Sequence, residues 1–282
     1  MCVPGCGKST CWECTKGSPQ ICPEGPHYGG GQDGFFADYA VVPERAAILL
    51  PVGVSMEAGA VATDACMTAH HAVVDRGSVA REDTVLILGL GGLGFNALQI
   101  CLSIGARCIV LDKRQTVLDT ARNLGIASND IIPPDITDVS QWVKDRDLVI
   151  DVAIDFIGMA ETFKVAVESG KAPLTFLFPS NVSLTYDLPK VRKAGTIVIV
   201  GLLGINLSFA TGTIVRRQLN IVGSYGGTIS NITACLELIK DGALVPQIKK
   251  GNMQDFPTIL DDLHNGRIQG RMVMLPDNVL LD

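Results

Sequence analysis

Two sets of residues in this 282-residue chain have the types and spacings to do chemistry. The first is a run of thiols near the start: Cys11-Trp-Glu-Cys14, then Cys22, with Cys6 available as a fourth. Short cysteine spacings suit a knuckle around tetrahedral Zn²⁺, and four protein thiolates leave no open coordination position. The expected zinc is therefore structural rather than catalytic. The second set is Gly89-Leu-Gly91-Gly92-Leu93-Gly94, followed eighteen residues later by Asp112. In a Gly-x-Gly-x-x-Gly turn, Gly89 permits the tight bend, Gly91 lets backbone approach a pyrophosphate, and Gly94 lets helix and strand pack closely. A helix starting there would present free N–H groups and a partial positive charge to phosphates. Asp112 can accept hydrogen bonds from both ribose hydroxyls of NAD and would repel the 2′-phosphate of NADP. Lys113 and Arg114 follow it and soften that preference.

Positioning these groups requires particular elements. Thr84-Val-Leu-Ile-Leu is a wholly apolar run, as a central parallel strand shows. It leads into the glycine turn, then into an apolar helix pattern from Phe95 to Ile104, then into a second strand, Arg107-Cys-Ile-Val-Leu-Asp112. The alternation continues with a helix over 115–124, strands over 151–158, 196–201 and 219–223, and a helix from Ser230 to about Lys240. Repeated strand–helix units predict an α/β fold with a doubly wound parallel Rossmann sheet. Gly158, Gly201 and Gly223 end their strands at the carboxyl edge, where such sheets bind ligands.

Composition sets the outer limits. The chain is 47% hydrophobic and 18% charged, well short of the quarter that is usual, so it has material for buried sheets and none of the signature of disorder. A net charge of −6 argues against a nucleic-acid partner. Ala194 to Val215 carries no charge over 22 residues but contains four glycines and only a short β-branched cluster, so a buried strand and loop are expected rather than a membrane span. Nine cysteines and no visible signal peptide suggest a reducing, cytoplasmic setting. Pro4-Gly5-Cys6-Gly7-Lys8-Ser9-Thr10 imitates a phosphate-binding P-loop. It fails, because the first glycine of that motif would fall on Cys2 and no strand precedes it.

Over nearly its whole length the chain resembles the zinc-dependent medium-chain alcohol dehydrogenases. The correspondence runs through the cysteine lobe, Gly34-Phe-Phe-Ala-Asp-Tyr39-Ala-Val-Val-Pro-Glu44 and Ala62-Thr-Asp64-Ala-Cys-Met-Thr68-Ala-His-His-Ala72. It continues through the glycine turn, Ile221-Val-Gly-Ser-Tyr-Gly226 and Leu263-His-Asn-Gly-Arg-Ile-Gln-Gly-Arg271. The resemblance implies hydride transfer between NAD(H) and a small alcohol or carbonyl substrate. It implies Asp64 as a catalytic-zinc ligand and Thr68 against the nicotinamide, with Val200, Gly201, Leu202, Ser224 and Tyr225 lining the nicotinamide half. It puts Arg271 near the pyrophosphate, and it implies a homodimer or homotetramer joined sheet edge to sheet edge near Leu219–Gly223. The domain plan it implies has three parts. Residues 1–75 are the remnant of a β-rich, GroES-like catalytic domain with the cysteine lobe, 76–245 the NAD-binding domain, and 246–282 a return to the catalytic domain. His70 and His71 have no visible metal partner and are expected to be structural.

Three departures accompany the resemblance. The family carries a β-rich portion ahead of the cysteine lobe, supplying a Cys and a His to the catalytic zinc, and no equivalent is found here. NAD binding is thus expected to survive while zinc-assisted hydride transfer is impaired. That leaves a non-catalytic dinucleotide-binding protein as the alternative from another class, and a zinc-free quinone-reductase type as an enzymatic one. Next, Cys6 and Cys11 lie further apart than the family's spacing, which counted strictly would put the first ligand on Lys8. Finally, 171–190 is an excess segment before Val191-Arg-Lys-Ala-Gly195. It reads either as a translated short intron, since Gly170-Lys171 can encode a splice-donor-like sequence, or as a surface insertion. Its detection in protein purified from the source would exclude the intron.

Overall fold

The computed structural model describes residues 4–37, 39–159, 162, 165, 191–202 and 211–276. The excess segment 171–190 lies outside the described residues. By internal contacts the chain divides into two units, one made of 72–90 and 101–224, the other of 1–71, 91–100 and 225–282.

The first unit is built on one parallel sheet. Its strands are β1 (Thr84–Leu88), β2 (Arg107–Leu111), β3 (Ile131–Ile132), β4 (Ile150–Asp155), β5 (Val191–Ile199) and β6 (Asn220–Gly223). They pair in the order β3-β2-β1-β4-β5-β6, every pair parallel, with Val85 opposite both Cys108 and Val152. The order reverses between β1 and β4, which makes the carboxyl ends of those two strands the switch point of a doubly wound sheet. β1 has to be apolar on both faces there, and Val85 through Leu88 are fully buried. Leu86, Leu88, Ile109, Ile132, Ile150 and Ile197 form the core with Trp142 and Val143. Each large side chain so buried contributes about 1.5–3 kcal/mol.

The helix bearing that tryptophan, Val139–Asp145, starts where the Asp138 side chain accepts the Gln141 N–H at 2.8 Å. The helix Gln115–Asn123 buries Val117, Leu118 and Ala121, one stripe of its surface. The segment Val191–Gly195 is taken into β5 as a bulge. Between paired positions β4 advances from 150 to 152 while β5 advances from 191 to 196, and Ala194 adopts a left-handed φ of +63°. Strand β5 thus begins before the apolar run that marks it in the sequence.

In the other unit, a helical run begins at Met56, capped by the Ser55 hydroxyl on Ala58 N–H. It passes through a π-helical turn at Ala62–Cys66 and continues as Met67–His70. The helix Ile229–Lys240 opens on a reciprocal Thr228/Asn231 capping box. Strands β7 (Ile248–Asn252) and β8 (Arg271–Leu275) pair in parallel, joined through the helix Phe256–His264. Among the described residues β7 and β8 are this unit's strands. No described helix is long and apolar enough to cross a membrane.

Candidate functional site

The four lobe cysteines converge. The sulfurs of Cys6, Cys11, Cys14 and Cys22 all lie within 4.8 Å of one another, with Cys6 and Cys14 at 3.8 Å and Cys11 and Cys22 at 3.6 Å. A tetrahedron with Zn–S bonds of about 2.3 Å has sulfur–sulfur edges of about 3.8 Å, so the quartet fits a single Zn²⁺. The wide Cys6–Cys11 spacing is absorbed by backbone. Gly5 and Gly7, on either side of Cys6, both take left-handed φ values, +68° and +73°. A Cβ on Gly5 would stand 2.6 Å from the Cys14 sulfur. Arg45 braces the turn by donating to the Gly5 carbonyl at 2.9 Å. Lys8, the position that strict counting picks, instead pairs with Glu24.

The thiols are not equivalent. At Cys11 a backbone hydrogen bond from Cys14 favours the thiolate, but burial, the Glu13 carboxylate and its fellow thiols push it up to about 12. At Cys22 burial works against ionisation, yet the N–H groups of Cys6 and Glu24 bring it down to about 7.

In the sheet unit, the end of β1 bends at Gly89, whose φ is +88°, and a Cβ there would meet Ile157 at 2.6 Å. Asp112, almost fully buried, lies just past β2. Its carboxylate accepts the Leu90 N–H at 2.8 Å, tying the start of the glycine turn to the end of the neighbouring strand. Burial alone would raise its pKa; the Arg114 guanidinium and the N–H groups of Arg114 and Leu90 outweigh burial and hold it below the usual carboxylate range. Arg114 engages both carboxylate oxygens, each at 3.0 Å, while Lys113 is exposed.

At the next strand end, Asp155 is wholly buried. It accepts the N–H groups of Ile157 and Gly158 at 2.9 and 3.0 Å and the Thr162 hydroxyl at 2.7 Å. Its signal in the sequence is an acid three residues before a strand-ending glycine, which sequence reading passed over. Gly158 and Gly201 then pack backbone to backbone, and a Cβ on either would overlap the other's chain. After β5, Val200 is buried and Leu202 exposed; after β6, Ser224 is buried with an unpartnered hydroxyl and Tyr225 is exposed.

The remaining expected residues belong to the other unit. Gly91, Gly92, Leu93 and Gly94 lead into the helix Gly94–Ile104, whose early turns close with Phe95 N–H on the Gly91 carbonyl and Ala97 N–H on Leu93. Arg271 lies against this turn: a Cβ on Gly92 would stand 2.5 Å from its Nη1. Its Nη2 is 3.7 Å from the Asp64 carboxylate. Both residues line a cavity of about 650 Å³ whose walls are otherwise mostly apolar, including Phe35, Phe36, Met253 and Met272. Thr68 is buried on the helix Met67–His70. His70 meets Asn231 at 3.0 Å and His71 meets Gln20 at 3.3 Å. Among the described residues the cysteine quartet is the one gathering of three or more metal-ligating groups, and Asp64 is outside it.

A family model for the alanine dehydrogenase/PNT C-terminal domain matches residues 55–155. The chain is 26% identical over 276 residues to an NAD-dependent alcohol dehydrogenase of Saccharolobus solfataricus, covering 97% of this chain and 73% of that one. It is 28% identical to alcohol dehydrogenase 1 of Emericella nidulans, covering 95% and 71%. Among solved structures, acetophenone reductase of Geotrichum candidum in complex with NAD superposes with a TM-score of 0.78 at 27% identity, over 96% of this chain and 71% of that one. The alcohol dehydrogenase of Aeropyrum pernix superposes at 0.79 and 26% identity, over 98% and 75%.

Proposed function

We propose that this chain, which belongs to the medium-chain alcohol dehydrogenase family, binds NAD(H) and exchanges hydride between it and a small alcohol or carbonyl compound. The observation that carries the reading is the tie between Asp112 and Leu90, which sets an acid-terminated strand beside a glycine turn at the switch point of a parallel sheet.

Each residue has a task of its own. Gly89 and Gly91 keep the turn free of side chains, Gly94 opens the helix, and its N–H groups and Arg271 face phosphate. Asp112 accepts ribose hydroxyls. Because Arg114 neutralises part of that carboxylate, rejection of NADP is moderate rather than absolute. Thr68, Val200, Gly201, Leu202, Ser224 and Tyr225 are assigned to the nicotinamide half, on the strength of the resemblance and their places at strand and helix ends. NAD, when bound, supplies the hydride acceptor.

Zinc belongs to the cysteine lobe in this reading. Cys6, Cys11, Cys14 and Cys22 would hold it, and it would lock the loop that carries them. The donors described around Asp64 do not compose a second site, and no metal-dependent step is assigned to it. A dinucleotide-binding protein without turnover is the second reading. The eight described cysteines are all outside disulfides, which suits a reducing cytoplasm. Self-association is assigned to the sheet edge at β6.

The test is direct: NADH binding by fluorescence titration, then nicotinamide absorbance with a panel of aliphatic and aromatic alcohols, aldehydes and ketones. Binding with turnover on one class establishes the oxidoreductase. Binding with no turnover anywhere on the panel selects the second reading, and no binding at all removes both.

A further inference from the structure

Asp155 ends β4 with no exposed surface. A carboxylate taken out of water needs hydrogen-bond donors, and its described donors are neutral groups of the chain that follows it. Oδ1 accepts the N–H groups of Ile157 and Gly158. Oδ2 accepts the Thr162 hydroxyl, whose oxygen in turn accepts the Met159 N–H at 3.1 Å. The Asp155 carbonyl reaches towards β5, accepting the N–H groups of Val200 and Gly201 at 2.9 and 3.1 Å. One residue thus fastens the turn after β4 through its side chain and the turn after β5 through its backbone. The same contacts fix Ile157, which lies so close to Gly89 at the end of β1 that a Cβ there would have no room.

We propose that Asp155 is a positioning residue for the nicotinamide end of the dinucleotide, holding the Ile157–Gly158 and Val200–Gly201 turns in the shape that this end lies against. The inference rests on the reading of the glycine turn as a dinucleotide site. Asp112 stands past the end of β2, on one side of the switch point between β1 and β4. Asp155 and the two turns it fastens stand on the other side. A dinucleotide laid across the switch point with its adenosine ribose at Asp112 extends its other half over the ends of β4 and β5. Gly158 and Gly201 pack backbone to backbone there, so a shift in one turn is passed to the other. Removing the carboxylate leaves two buried N–H groups without their acceptor, and the turn relaxes to find new partners. The adenosine half, held on the opposite side, keeps its contacts.

The experiment titrates two ligands, NADH and ADP-ribose, which lacks only the nicotinamide ring, into full-length wild type, Asp155→Ala, Asp155→Asn and Thr162→Val. Wild type should bind NADH more tightly than ADP-ribose. Asp155→Ala should weaken NADH about tenfold and ADP-ribose less than about twofold. Asp155→Asn, whose carbonyl oxygen can still accept both turn N–H groups, should recover most of the NADH affinity, because shape rather than charge is what this residue supplies. Thr162→Val, which frees Oδ2 alone, should fall between, and it decides the matter where the alanine variant does not fold. Equal losses of NADH and ADP-ribose in the deciding variant make Asp155 a general scaffold residue and overturn the proposal. No loss of NADH overturns it as well, as does a wild type that binds the two ligands equally. Folded wild type that binds neither ligand overturns the dinucleotide reading itself, and the proposal with it.

Discussion

The parallel sheet and the cysteine lobe are stabilised by opposite means. In the sheet, β1 and its neighbours are buried and apolar on both faces, and the turns at the strand ends are fastened by carboxylates, Asp112 on Leu90 and Asp155 on Ile157 and Gly158. In the lobe the large apolar side chains Trp12 and Ile21 are 64% and 49% exposed. Its shape comes from left-handed glycines, the Arg45 brace and four converging sulfurs. A region that buries little apolar surface needs other restraints, and four converging thiols offer a metal site as one of them. The same chain therefore contains one region held by exclusion of water and one whose four converging sulfurs could hold a metal.

That contrast can be broken most forcefully at the strand ends. Gly201→Val forces a side chain into the Ile157–Gly158 backbone, and neither chain can withdraw without opening β4 from β5. We expect a loss of at least about 3 kcal/mol or no folded protein, read by urea unfolding. Leu86→Ala, which removes core without touching a turn, should cost about 2–5 kcal/mol in the same measurement.

Treating the protein with a zinc chelator, or making Cys22→Ser, should act on the lobe alone. Hydrogen exchange and proteolysis should rise over residues 4–30 while NADH affinity holds. Equal loosening of the β1 and β2 amides would show that the two regions are not independent. Asp112→Ala is milder: losing the Leu90 tie and the ribose acceptor together should weaken NADH about tenfold and narrow the gap to NADPH, by titration of both.

The smallest effects are electrostatic. The Asp112 pKa is depressed in the folded protein, so its contribution is complete above the unfolded carboxylate value near pH 4 and is lost as pH falls through the folded one. Stability should be flat with respect to this group from neutrality down to about pH 4 and fall below it in the wild type, and fall less in Asp112→Asn. Glu24→Gln, which breaks the exposed pair with Lys8, should leave the urea unfolding midpoint unchanged.

Much of this was open to the sequence. The apolar run at 84–88, the glycine turn, Asp112 and the helix that follows at 115 are local signals, because strand, turn and helix each depend on neighbours a few residues away. The cysteine set was legible for a similar reason, since thiols at short spacing have few other uses. Tertiary structure alone settled which atom does what. Cys6 joins the quartet with left-handed glycines on either side of it and Arg45, forty residues on, bracing the turn. The Val191–Gly195 segment becomes a bulged start to β5 because β4 is there to pair with it. The Asp64 carboxylate lies 3.7 Å from Arg271, a residue more than two hundred positions away. Spacing along the chain dictates secondary structure through local sterics, but the partner of a charge is whichever group the packing of remote segments brings within a few ångströms.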